Sequence, residues 1–144
     1  MNMLKKVRRI AAAEMSDAGE PLINDPDFRK KLAEVEIKVE ALNATELRIF
    51  SAMGSGKPVG PASSMLKLTG SETQQAITEL TLEAVGNYAL PFVADTWTRT
   101  NEGRAGPDYA APAAPAYFNY RKASIYAGSN EIQHNIMAKL VLGL

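Results

Sequence analysis

The sequence predicts an all-α bundle of about four main helices, and three observations carry that prediction. Apolar residues recur every three or four positions over long segments. Prolines and glycines punctuate those segments at the places where helices start and stop. No stretch shows the strict apolar and polar alternation of a half-buried strand.

The first segment, MNMLKKVRRIAAAEM, sets Leu4, Val7, Ala11 and Met15 on one helical face and gathers Lys5, Lys6, Arg8 and Arg9 elsewhere. A short helix with a basic, solvated side and a linker rich in turn residues are together expected over residues 1–20. Asp25 before Pro26 then reads as an N-cap followed by proline at the first helical position. From Pro26 to about Met53 the positions Phe28, Leu32, Val35, Val39, Leu42 and Ile49 form one stripe, with Glu46 its one polar member. Ile37, Ala41, Ala44 and Leu47 widen that stripe, which predicts more than one neighbour. Glu46 is expected to reach solvent or pair with a base rather than to act as a catalyst.

MGSGKPVGP ends this helix and restarts the next near Pro61. Its Gly-x-Gly-Lys run does not have the spacing of a phosphate-binding loop, and no strand precedes it. A second long helix is expected from about Pro61 to Val85, through Met65, Leu66, Leu68, Ile77 and Leu80. Gly70 sits in its middle at a cost of about 1 kcal/mol relative to alanine, which predicts close approach of another helix there. Residues 91 to 115 show no periodicity and hold the one tryptophan, Trp97, a candidate anchor against a partner. A short helix over Tyr117 to Ser124, a Tyr-Ala-Gly-Ser turn and a last helix from about Ser129 to Leu142 complete the chain. On that last helix Ile132, Ile136 and Leu140 share a side, with Ser129 or Asn130 as N-cap and Gln133 completing a partial capping box.

Composition removes several function classes. The chain has 144 residues, 46% of them hydrophobic, with 16 basic and 16 acidic side chains in balance. That balance gives no electrostatic case for nucleic acid or an anionic membrane as the main partner. No cysteine and a single histidine make a metal site improbable on composition and exclude thiol chemistry. No run of about 18 apolar residues spans a bilayer, and no secretory signal is read at the N-terminus, so a cytoplasmic location is expected.

The turn before the last helix carries a resemblance. YRKASIYAGSNEIQHNIM resembles, nearly position for position, the C-terminal segment of the FAD-dependent acyl-CoA dehydrogenases. GEPLINDPDFRKKLAEVEIKVEAL and SMLKLTGSETQQAITELTLEAVGNYAL resemble that family's linker and two long helices in the same order. Residues 21–144 are therefore similar to the family's four-helix, up-and-down C-terminal domain alone, without its N-terminal helical and middle β domains.

The resemblance implies α,β-dehydrogenation of an acyl-CoA with hydride transfer to FAD as the parent reaction, in which this domain supplies flavin contacts and subunit interface. It implies that Gly128, Ser129 and Glu131 lie beside the adenosine-pyrophosphate part of the flavin. Gly86 corresponds to a glycine that approaches the flavin of a neighbouring subunit, whereas Glu83 stands where Gln is common and Asn87 replaces a second Gly. Tyr126 and Ala127 are placed next to substrate. Many members carry the catalytic Glu at the position of Ala127, and a methyl group accepts no proton, so no catalytic residue is assigned. The implied partners are further copies of the chain, or a companion chain with the missing domains, together with an acyl-CoA. The alternative is a helical bundle that serves assembly or partner binding without catalysis, and an enzyme active by itself is not expected.

Overall fold

In a computed structural model the chain is described over residues 2–91 and 106–144. Five α-helices follow in order among these residues: α1 (Asn2–Ala13), α2 (Pro26–Gly54), α3 (Ala62–Val85), α4 (Ala113–Tyr120) and α5 (Asn130–Met137). Short 3-10 turns flank them, a π turn over Ala138–Leu142 extends α5, and no strand occurs among the described residues. Among the described residues the one β feature is an isolated bridge between Met15 and Pro21. Of the sequence expectations, Trp97 lies outside the described residues.

Helix α1 is more than a basic appendage. Leu4, Val7, Ile10 and Ala11 are buried, and three of them have no exposure. The helix packs against α3. Met15, expected on this face, is 61% exposed because the chain has already left the helix for the bridged loop, and Ile10 fills the face instead. On the polar side Arg8 makes a two-pronged ion pair with Glu36 of α2 at 2.6 and 2.7 Å.

Helix α2 starts as its sequence requires. The Asp25 carboxylate accepts from the backbone N–H of Phe28 at 2.8 Å and Pro26 opens the first turn. Phe28, Leu32 and Val35 then enter the core, and burial of a ring such as that of Phe28 is worth about 2 to 3 kcal/mol. Beyond Val35 the helix has no fully buried residue. Over its 29 residues α2 rises about 43 Å, longer than the core it serves. Beyond Val35 it is an arm along which Ile37, Leu47, Phe50 and Met53 are exposed, and Glu46 is exposed with them.

Helix α3 is the axis, touching each of the other four helices. Ile77, Leu80, Ala84 and Val85 complete the core with α1, the first half of α2 and Ala110 and Ala113. The polar middle has a local explanation that differs from the expected one. A Cβ built on Gly70 meets nothing outside its own helix within 4 Å, so no neighbour presses on the glycine. Instead, the buried Ser71 and Thr73 hydroxyls donate to the carbonyls of Leu68 and Thr69 in their own helix, at 2.8 and 2.7 Å. Polar groups satisfied in this way are carried into a packed region without an unmade hydrogen bond.

Candidate functional site around the turn before the last helix

The turn is held from below by α3. Gln75 projects from that helix, and its amide nitrogen donates to the carbonyl of Arg121 at 3.1 Å and to the Ser124 hydroxyl at 3.2 Å. Arg121 reaches the opposite way. Its guanidinium donates to the carbonyl of Gln75 at 2.8 Å and to the Thr78 hydroxyl at 3.1 Å, and it lies 4.3 Å from the centre of the Tyr117 ring. Such reciprocal bonds fix the 3-10 turn over Arg121–Ser124 on the helix that supports it.

After this anchored turn the chain reverses through two left-handed residues, Ala127 at φ 55° and Gly128 at φ 86°. At Gly128 a side chain is doubly disfavoured. Its φ is a glycine conformation, and an added Cβ stands 2.7 Å from the Gln133 amide nitrogen. Gln133 is 9% exposed and donates to the Gly128 carbonyl at 3.4 Å, so the residue expected to complete a capping box instead fills the inside of the turn. Ile132 and Leu140, read in the sequence as sharing one side with Ile136, are 51% and 66% exposed. Ile136 and Met137 are half-buried, and the glutamine points inward.

Helix α5 begins with Ser129 in extended geometry at the N-cap position, without a side-chain bond to the helix backbone. Its hydroxyl serves the Glu131 carboxylate instead. This hydrogen bond, followed by one from Glu131's own backbone N–H, holds the carboxyl below the usual range for a glutamate. Asn130 is fixed by α3, where the Lys67 ammonium donates to its side-chain oxygen at 2.8 Å and the Ser71 hydroxyl, shared with the Leu68 carbonyl, lies 3.1 Å from it. Around the start of α5 the structure therefore gathers a hydroxyl, an ammonium and the N–H groups of a first helical turn.

Of the residues singled out in the sequence, Tyr126, Ala127, Gly128, Ser129 and Glu131 stand together at this turn, with Tyr126 and Ala127 exposed. Lys67 and Gln75 were not anticipated. Their partners lie 63 and 46 residues further along the chain, and a lysine and a glutamine in a long helix carry no local signal of such a role.

Gly86 belongs to a different place. It ends α3 at φ 58°, fifteen positions after Ser71, about 22 Å along the helix axis from the α5 start. A cleft of about 780 Å³ opens beside it, lined among others by Glu14, Asp17, Asp25 and Glu83. Glu83 accepts from the Lys31 ammonium at 2.7 Å and Glu14 from the Tyr109 phenol at 2.7 Å. Among the described residues no basic side chain lines the cleft.

The family model for the acyl-CoA dehydrogenase C-terminal domain matches residues 6–142 of this fold. The chain belongs to that family. Among solved structures the domain resembles the ChsE4-ChsE5 complex from Mycobacterium tuberculosis, with a TM-score of 0.75 and 24% identity over 99% of this chain and 34% of the other. The butyryl-CoA dehydrogenase of Megasphaera elsdenii gives 0.74 and 18% over 97% and 32%. A structure of the electron transferring flavoprotein of Acidaminococcus fermentans gives 0.75 and 17%, again over 97% and 32%. At these identities the likeness is one of fold, and the domain spans about a third of the length of each chain. A search of curated proteins gives no match.

For an FAD the two glycine-bearing places differ. The donors around Ser129 and Lys67 suit the phosphate and ribose oxygens of a dinucleotide, and Glu131 suits a ribose hydroxyl. The surroundings of Gly86 suit neither phosphate, because they combine carboxylates with the negative end of a helix.

Proposed function

We propose that the chain acts as the C-terminal part of an acyl-CoA dehydrogenase-like flavoprotein, contributing one flavin contact and a subunit interface to the α,β-dehydrogenation of an acyl-CoA. The family match over residues 6–142 carries this reading. Gly128 supplies the left-handed turn, Lys67 and the backbone N–H groups at the start of α5 donate to the phosphates of the dinucleotide, and Glu131, held by Ser129, accepts from its ribose. Bound there, FAD supplies the hydride acceptor of the reaction.

Ala127 and Tyr126 form a wall beside the acyl chain, and the proton acceptor comes from elsewhere in the assembly, since Ala127 has no group to receive a proton. The exposed stripe of Ile37, Leu47, Phe50 and Met53 supports a role in contacts with further copies or with a companion chain that carries the remaining domains. We assign this assembly to the cytoplasm. No helix among the described residues is long and apolar enough to cross a membrane.

A second reading, a helical bundle that assembles with partners without catalysis, draws on Ala127 and on the acidic cleft beside Gly86. The two separate on flavin retention. The purified chain, incubated with FAD and desalted, is expected to keep visible flavin absorption, and the Gly128→Asp, Ser129→Ala variant to lose it. Equal retention by both, or by neither, sinks the flavin contact and leaves the assembly bundle.

A further inference from the structure

Two places on this chain correspond to flavin contacts by resemblance, the turn before α5 and the Gly86 end of α3, and their chemistry is opposite. At the first, a lysine ammonium, a serine hydroxyl and the N-terminal end of a helix converge, with Glu131 the one carboxylate among them. At the second, α3 ends, so its last carbonyls and the negative end of the helix dipole face the same space as Glu14, Asp17, Asp25 and Glu83. Only part of this is offset: Lys31 pairs with Glu83, whereas the contact to Glu14 comes from a neutral phenol and Asp25 is engaged with the backbone N–H of Phe28.

We propose that the Gly86 cleft excludes the phosphates of a dinucleotide by charge, so that each copy of this chain offers one flavin face, at α5, and not two. The inference rests on the proposed flavin contact at α5 only for its meaning; its physical basis is the cleft itself. Gly86 has a glycine conformation, with φ 58° and open space where a Cβ would stand, so the backbone bars no ligand. The charge around it does. A diphosphate entering the cleft meets carboxylates within a Debye length and no described cation in the lining. A flavin shared between two identical copies would bring its phosphates against this surface, which is the arrangement the charge disfavours.

The test titrates the isotopically labelled full chain with ADP at low ionic strength and follows the backbone amides by NMR. The amides of Gly86, Asn87 and Tyr88 are expected to stay unmoved in the parent chain. In an Asp17→Asn, Glu83→Gln variant they are expected to respond, with an affinity at that face raised by roughly tenfold or more. Asp17 and Glu83 are exposed and outside the core, and Glu83→Gln alone serves as a second variant. Movement of the Gly86 amides in the parent chain, or no gain in the neutralised variants, overturns the proposal. The amides of Gly128 to Glu131 report separately in the same titration. Silence at those positions removes the flavin contact at α5 and leaves the result for the Gly86 cleft standing on its own signals.

Discussion

Ala127 is the one described non-glycine residue with a positive φ, and its 55° has an energetic consequence. An L-residue in the left-handed region gives up about 1 kcal/mol, whereas glycine adopts it without that cost. Glycine also adds freedom to the unfolded chain, which offsets part of the gain. The Ala127→Gly variant is therefore expected to be more stable by about 0.5 kcal/mol, read from chemical denaturation midpoints at unchanged slope. Gly128 is the converse case, since its φ and the nearby Gln133 amide both bar a side chain.

Among the elements, α2 shows how a cap and a half-core make one long helix. The Asp25 carboxylate satisfies one N–H of the first turn, and its removal leaves that donor to water. Asp25→Ala is expected to cost about 1 kcal/mol in thermal or denaturant unfolding. The other end of α2 has no comparable support. Its exposed apolar stripe and the first half of α3 stand away from the core, which is why a helix of 29 residues contributes only Phe28, Leu32 and Val35 to the buried set. Helix α5 has the same character. Held by Gln133 inside the turn and by Asn130 on α3, it presents Ile132 and Leu140 outward, surfaces suited to a partner in an assembly.

Across the whole molecule one contact ties the chain that precedes α4 back to the end of α1. The Tyr109 phenol donates to the Glu14 carboxylate at 2.7 Å, and this bond, ahead of burial and of the negative charge, pushes the phenol up from 10.0 to about 12. The raised value means that the folded state favours the neutral phenol. The associated stability is complete below pH 10 and is lost as pH climbs from there through about 12. Thermal midpoints measured across that window are expected to fall more steeply for the parent chain than for Tyr109→Phe, which lacks the titrating group. Parallel curves for the two proteins would show that the bond contributes nothing to folding.

The helices and their order were determined by the sequence itself. Asp25-Pro26 opens one helix, Gly86 closes another, and the spacing of Phe28, Leu32 and Val35 states which side is buried, because capping and a 3.6-residue period are local properties of the chain. The turn before the last helix was legible for the same reason, as Gly128 and Ser129 adjoin one another. Tertiary structure alone decided the rest. It placed Lys67 on Asn130, Gln75 beneath Arg121 and Ser124, and Gly86 about 22 Å from the other candidate residues in the midst of four carboxylates. Contacts between residues tens of positions apart depend on how helices pack, and the charge around a glycine depends on every element that meets there. Neither is written in the residues next to it.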